Sequence, residues 1–159
     1  MALKLAVELD GVLGDTHQLW GDWLEDAARR FRSIAELDVG ALPADRGRAA
    51  EELDRWADRG VGDWRRALER FAEDRAPVYL RPDAEISARL RELKSAGATL
   101  GVFTDAPEPL ALVALSQLGA ARRVDFVESG AGALERLLER LGPGAVVVRS
   151  RDGLGRFGG

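Results

Sequence analysis

The stretch of sequence that decides the fold lies near the amino terminus and reads Leu3-Lys4-Leu5-Ala6-Val7-Glu8-Leu9-Asp10-Gly11. It is short, almost continuously apolar, and ends abruptly at an Asp-Gly pair. This pattern is typical of a strand that is buried on both faces and is followed by a turn. The stretch therefore predicts a strand inside an α/β protein, with helices on both sides of its sheet.

Three later apolar runs share this character, at residues 99–103, 124–127 and 145–148. Each is preceded by a segment with apolar residues at three- or four-residue steps, which is the period of an amphipathic helix. Strands that alternate with helices in this way predict a Rossmann-like, mostly parallel sheet with helices on both faces. We expect residues 3–9 at the centre of the sheet, between 99–103 and 145–148.

Residues 17–75 interrupt this alternation with a helical block that holds all four tryptophans. Apolar side chains again recur at helical spacing, and Thr16 is expected to cap the first helix. A loop is expected over 37–48, and the last helix of the block is expected to end near Glu73. We interpret the tryptophans as the core of this block.

The chain is thus expected to consist of an α/β core, residues 1–16 and 76–159, with a helical insertion at 17–75. Two prolines within residues 76–82 predict an extended connector, because proline disfavours helix in the residue before it. The glycine-rich tail, residues 149–159, predicts a loose end.

The composition excludes several classes of site. The 159 residues include no cysteine, which removes disulfides, thiolate nucleophiles and zinc–sulfur centres together. A net charge of −4 lacks the basic footprint of a nucleic-acid binder, and no apolar run reaches the roughly 18 residues of a membrane span. We therefore expect a cytoplasmic protein without nucleic-acid or membrane partners. Only Lys4 and Lys94 could serve as a catalytic lysine.

Polar side chains follow three of the predicted strands. Glu8 and Asp10 end the first, Thr104 and Asp105 end the second, and Asp152 follows the last. Because the carboxyl ends of parallel strands form the ligand-binding edge of such a sheet, we expect these side chains to lie near one another. Paired carboxylates there can hold Mg²⁺ beside a phosphate, or attack phosphorus and move protons. Alternatively, Asp10 belongs only to a turn and Glu8 is a solvated charge.

Two motifs in this order resemble a known family. The run Glu8-Leu9-Asp10-Gly11-Val12-Leu13, followed by Asp15-Thr16, resembles the first motif of the haloacid dehalogenase (HAD) superfamily. The run Val102-Phe103-Thr104-Asp105-Ala106 resembles its second motif, and the helices at 17–75 resemble the helical cap of its phosphatase branch. The resemblance implies a HAD-like hydrolase that acts on phosphate esters with Mg²⁺.

The resemblance also implies roles for individual residues. Glu8 and Asp10 match the catalytic positions of nucleophile and general acid/base. Thr104, with Asp105 beside it, matches the phosphate-binding position. The metal ligands would be Glu8, Asp10 through its backbone carbonyl, and Asp152.

The sequence departs from the family at three positions that carry the chemistry. Glu8 stands where the family has an aspartate nucleophile. No lysine occurs in residues 128–144, where the third motif supplies one, and Ser150 stands where the fourth motif has aspartate. Each loss of an electrostatic contact to the transition state typically lowers the rate about a hundredfold or more. The departures predict weak activity and weak binding of Mg²⁺.

Two functional hypotheses follow. The first is a HAD-like protein with degenerate motifs and weak or absent phosphatase activity, which binds a small phosphorylated ligand. The alternative is an active Mg²⁺-dependent phosphomonoesterase of a small metabolite, with Glu8 as nucleophile or metal ligand. A short sheet with an exposed edge also suggests a homodimer.

Overall fold

A computed structural model describes residues 2–157 and contains a four-stranded parallel sheet. The strands are β1 (Lys4–Glu8), β2 (Thr99–Thr104), β3 (Phe126–Ser129) and β4 (Val146–Val148), in the spatial order β3-β2-β1-β4. The predicted order is confirmed, because β1 lies between β2 and β4. Strand β3 begins two residues later than predicted, since the Asp125 carboxylate accepts hydrogen bonds from Leu100 N and Lys94 Nζ at the entry to the strand.

Helices cover both faces of the sheet, as the alternating pattern predicted. Helix α6 (Ala133–Leu141) packs on one face, where Ala6 and Phe103 meet Leu137 in a small apolar cluster. A larger cluster occupies the other face. The helices are α1 (His17–Ala35), α2 (Arg46–Trp56), α3 (Trp64–Tyr79), α4 (Ala84–Ser95), α5 (Glu108–Gln117), α6 (Ala133–Leu141) and α7 (Arg151–Gly155).

The helical block shares the larger apolar cluster with the sheet. Its centre is aromatic: the Trp23 ring lies 5.4 Å from that of Trp20 and 6.0 Å from those of Phe31 and Trp64, measured between centroids. Trp56 is also buried. The tryptophans therefore form packing core, as interpreted from the sequence, and this core is continuous with that of the sheet.

Two predictions about the helical block are wrong. Helix α2 begins at Arg46, inside the segment 37–48 that was expected to be a loop, because the Asp45 side chain caps it by accepting from Arg48 N. Helix α3 does not end near Glu73 but continues through Pro77.

The extended connector expected over 76–82 is therefore shorter. Leu80 N still bonds to Ala76 O at 2.8 Å, and Ala72 and Ala76 are buried where α3 packs against α5. That packing outweighs the hydrogen bond that proline removes. The boundary expected at residues 75–76 falls inside this helix, and the division into core and insertion stays a prediction.

The tail also differs from expectation. Ser150 caps α7 by accepting a hydrogen bond from Gly153 N, and Leu154 is buried. The last two residues of the expected loose tail lie outside the described residues. Within residues 2–157, no helix has both the length and the apolar character needed to cross a membrane.

Candidate functional site

The register of the sheet brings four of the five predicted site residues to one cavity. Glu8 pairs with Phe103 across β1 and β2, and Val7 pairs with Val148 of β4, so the residues that follow these pairs converge. A cavity of about 400 Å³ lies at this edge. Among the residues that line it are Glu8, Asp10, Thr104, Asp105 and Arg149.

The loop after β1 turns Asp10 back toward the start of α1. Gly11 has φ of 98°, a conformation that favours glycine, and its N–H donates to Gly14 O at 2.8 Å. This tight turn places Thr16 beside Asp10. Both the Thr16 amide and the Thr16 hydroxyl donate to Asp10 Oδ1 at 2.7 Å. Thr16 therefore stands at the N-cap position of α1 without a side-chain capping bond, and its hydroxyl holds the carboxylate instead.

The other oxygen of Asp10 is equally occupied. Oδ2 accepts from the Thr104 hydroxyl at 2.8 Å and from Nη2 of Arg46 at 2.8 Å. Burial alone raises the pKa of Asp10, but the charge of Arg46 and the hydrogen bonds from Thr16 and Thr104 outweigh it and lower the pKa. Asp10 is therefore held as a carboxylate, with both of its oxygens bonded.

Arg46 is a site residue that the sequence analysis missed. Its side chain is 1% exposed and donates from Nε and Nη2 to Asp105 Oδ1, at 3.1 and 2.7 Å. Nη1 donates to the Thr16 hydroxyl at 2.6 Å, and the Arg46 amide donates to Asp105 Oδ2 at 3.0 Å. Burial opposes the charge, but hydrogen bonds and charges of Asp105 and Asp10 outweigh it and raise the pKa of Arg46.

Two neighbouring residues in the sequence could have indicated that position 46 starts a closely packed helix. Asp45 is a good N-cap residue, which would have placed Arg46 in the first turn of a helix rather than in a loop. Gly47 follows, and a Cβ there would lie 2.4 Å from the backbone nitrogen of Ala131. The start of α2 thus approaches the segment after β3 more closely than a residue with a side chain allows.

Glu8 forms a second, outer ion pair. Its carboxylate accepts from Nη1 of Arg149 at 2.6 Å. The pairing follows from register, since Arg149 comes directly after Val148, the partner of Val7. The Arg149 guanidinium also lies 5.3 Å from the centroid of the Phe103 ring. Arg149 is the one arginine or lysine among the described residues that line the cavity.

Asp152 is not brought to this cavity. It lies in the first turn of α7 and lines a separate cavity with Asp83 and Arg151. His17 and Asp15 lie nearer, since each offers one ligand atom within 4.8 Å of one on Asp10. However, Asp15 Oδ1 already accepts from the backbone amide of His17 and contacts its ring at 2.7 Å.

The other cations considered in the sequence lie elsewhere. Lys94 binds Asp125 and the Ala98 carbonyl at the opposite end of β2. Arg136 and Arg140 pair with Glu128 on the surface of α6. The lysine that the third motif would supply thus has no substitute in α6, whereas α2 brings in Arg46.

The residues that the resemblance assigns to Mg²⁺ do not fit this ion. Mg²⁺ requires near-octahedral oxygen ligands at about 2.0–2.1 Å. Glu8 is paired with Arg149 and Asp152 lines another cavity, so the Asp10 carbonyl is left without the two carboxylates that would complete the site. The carboxylates of this site are paired with arginine side chains of the protein and not arranged around an ion.

The fold matches solved structures of HAD-like proteins. CbbY from Rhodobacter sphaeroides, solved in complex with phosphate, is 18% identical over 98% of this chain and 84% of its own, with a TM-score of 0.63. A HAD phosphatase from Thermococcus onnurineus is 20% identical over 98% of this chain and 82% of its own, with a TM-score of 0.54. A protein from Thermotoga maritima designated a beta-phosphoglucomutase is 19% identical over 91% of this chain and 74% of its own, with a TM-score of 0.55.

The sequence matches no protein-family model and shows no significant match to a curated protein. The structural likenesses confirm the HAD-like fold that the two motifs implied.

Proposed function

We propose that this chain is a HAD-like protein that binds a small phosphorylated ligand and hydrolyses phosphate esters very slowly or not at all. The observation that carries the proposal is the state of Asp10. Its carboxylate accepts hydrogen bonds from Thr16, Thr104 and the buried Arg46. The residue at the general acid/base position is thus committed to holding the structure together.

A general acid must hold a proton near neutral pH and deliver it to the leaving group. The lowered pKa of Asp10 keeps this carboxyl ionised, so it has no proton to give. A general base needs an oxygen free to accept a proton from water, and both oxygens of Asp10 already accept from other groups. Asp10 is poorly prepared for either role while Arg46 stays in place.

Glu8, at the position of the nucleophile, is also poorly suited to its role, for reasons that do not depend on Asp10. Nucleophilic attack requires the carboxylate to be placed within about 0.5 Å of the productive position, and glutamate carries one methylene more than aspartate. The Glu8 carboxylate is directed to Arg149 at 2.6 Å. This pair neutralises charge on the Glu8 carboxylate and so weakens it as a nucleophile.

The carboxylates of Glu8, Asp10, Asp45, Asp105 and Glu135 outnumber the one arginine that lines the cavity, so its overall charge disfavours an anion. Support for an anionic ligand comes from local groups. Arg46 neutralises charge on Asp10 and Asp105 without lining the cavity itself. Arg149 does line the cavity. The first turn of α6 also lines the cavity, and its N-cap residue Gly132 makes no side-chain capping bond. The amino end of a helix favours anions, because its first N–H groups lack partners within the helix. Phosphate would bind here by competing with Glu8 for Arg149.

Two measurements test the proposal. With p-nitrophenyl phosphate and Mg²⁺, we expect turnover far below the roughly 1–10³ per second typical of enzymes. With inorganic phosphate, ³¹P line broadening should report binding that Arg149→Ala weakens. Arg122→Ala is the matched control, because Arg122 is exposed and far along the chain from the cavity. Glu8→Gln should strengthen phosphate binding, since it releases Arg149 and removes a negative charge.

The alternative is an active Mg²⁺-dependent phosphomonoesterase, which is favoured by the convergence of Glu8, Asp10 and Thr104 on one cavity. It would require Arg46 to leave Asp10. Turnover at several tens per second that Glu8→Ala abolishes would establish this alternative and refute the proposal of slow hydrolysis. Phosphate binding that Arg149→Ala leaves unchanged would refute the assignment of the ligand.

A further inference from the structure

We propose that Arg46 is the resident cation of this site and compensates the carboxylates of Asp10 and Asp105 as a divalent metal ion would. The proposal concerns the cavity of the proposed function but goes beyond it, since it states which cation holds the carboxylates together. It begins from the bonds that the carboxylates of Asp10 and Asp105 make to Arg46.

The guanidinium lies where two carboxylates converge from neighbouring strands. Asp10 follows β1 and Asp105 follows β2, and Nη2 of Arg46 donates to both, at 2.8 and 2.7 Å. Carboxylates so close to one another require a positive charge between them, because like charges repel strongly where water is excluded. A metal ion or an arginine can supply that charge, and here α2 supplies an arginine.

Every nitrogen of the Arg46 guanidinium has a hydrogen-bond partner. Its Nε, Nη1 and Nη2 all donate hydrogen bonds, and the side chain is 1% exposed, against 10% for Asp10. Thr16 is fully buried and closes the arrangement by donating to Asp10 while it accepts from Arg46. A divalent ion could reach the carboxylate of Asp10 only by displacing these donors, and it would then stand beside the buried guanidinium.

Because Arg46 belongs to α2, the charge is delivered by the docking of the helical block. Gly47 lets the start of α2 lie directly against Gly130 and Ala131. Arg46 therefore reaches the two carboxylates only when the helical block is packed against the segment after β3. A neutral residue at position 46 would leave Asp10 and Asp105 uncompensated, and these carboxylates would then attract a free divalent ion.

The test is a titration of the full chain with Mn²⁺, followed by electron paramagnetic resonance of the free ion. We expect no binding to the wild-type protein up to roughly 1 mM, whereas Arg46→Met should bind about tenfold more tightly or better. Arg48→Met is the matched control, because Arg48 lies on the same helix with an exposed side chain. It should behave as the wild type does. Adding Asp10→Asn to Arg46→Met should remove the gained binding.

A second measurement keeps the proposal testable if Arg46→Met folds poorly. Mn²⁺ should raise the midpoint of thermal unfolding of Arg46→Met and of Arg46→Gln, and leave that of the wild type and of Arg46→Lys unchanged. Wild-type binding of Mn²⁺ that Asp10→Asn abolishes would overturn the proposal, as would neutral variants that respond to Mn²⁺ no more than Arg48→Met does. Either result leaves the phosphate-binding test untouched, so failure of this proposal is distinct from failure of the proposed function.

Discussion

Glu8 and Asp10 stand two residues apart and line the same cavity, yet the two carboxylates belong to very different environments. Glu8 is 28% exposed and pairs with Arg149, which is 59% exposed. Asp10 is 10% exposed and pairs with Arg46, which is 1% exposed. The outer pair can exchange its partner for water or a ligand. The inner pair cannot do so unless the helical block moves.

This difference shows that the depth of an ion pair decides whether it serves structure or binding. Breaking a buried pair by removing one partner leaves an unpaired charge in a medium that solvates it poorly. Breaking an exposed pair exchanges one weak interaction for another with water. Substitutions at the two pairs should therefore differ in stability by several kcal/mol.

The largest effect is expected at the inner pair. Arg46→Met should lower the free energy of unfolding by about 3–5 kcal/mol, because Asp10 and Asp105 lose their common cation. Urea unfolding followed by circular dichroism measures it. Arg48→Met on the same helix should stay within about 0.5 kcal/mol of the wild type. Equal losses in the two variants would mean that the buried network contributes no more than a surface arginine.

The next effect concerns the contact that brings Arg46 to the core. Gly47→Ala should destabilise the protein by about 1–3 kcal/mol, because the new Cβ meets the backbone of Ala131 rather than a movable side chain. Gly21→Ala is the matched control, since Gly21 is helical and a Cβ there meets nothing within 4 Å. That variant should be neutral or more stable by up to about 1 kcal/mol. A neutral Gly47→Ala variant would show that α2 does not need this close approach.

The inner pair also predicts a dependence on acid. Arg46 lowers the pKa of Asp10 and of Asp105 in the folded protein, so the stability they contribute is present above the unfolded value of about 3.9. That contribution is lost as the pH falls through the lowered folded pKa. In Arg46→Met, burial acts without the cation and raises both pKa values toward or above the unfolded value, so the loss of stability in acid should shrink or reverse. Urea unfolding from pH 6 to about pH 2.5 measures both curves, and parallel curves would exclude this coupling.

The smallest effect is expected at the outer pair. Glu8→Gln and Arg149→Ala should each change the free energy of unfolding by less than about 1 kcal/mol, since both side chains reach solvent. The same urea experiment measures it. A loss as large as that of Arg46→Met would mean that the outer pair is structural as well, and Arg149 would then be a poor candidate for ligand binding.

Sequence patterns predicted the parts of the molecule that follow from local rules. The order of β1, β2 and β4 followed from the alternation of buried strands and helices. The meeting of Glu8, Asp10 and Thr104 followed from the rule that ligand sites lie at the carboxyl ends of parallel strands. These predictions held because parallel strands fix which residues share an edge, whatever the side chains around them.

The parts that were missed depend on contacts between distant segments. Arg46 lies 59 residues from Asp105 along the chain, and no periodicity in 37–48 indicates that its side chain is buried. Helix α3 continues through Pro77 because α5 packs against it, which overrides the local preference of proline. In both cases the deciding term is tertiary burial, which a single sequence does not display.

The inner network also bears on the order of folding events. Arg46 reaches Thr16, Asp10 and Asp105 across separations of 30, 36 and 59 residues, so its bonds require the turn after β1, the end of β2 and α2 to be in place together. Contacts that need so many segments are expected to form after the rate-limiting step of folding. The network would then mainly slow unfolding. Substitutions that weaken it should raise the unfolding rate and leave the folding rate nearly unchanged.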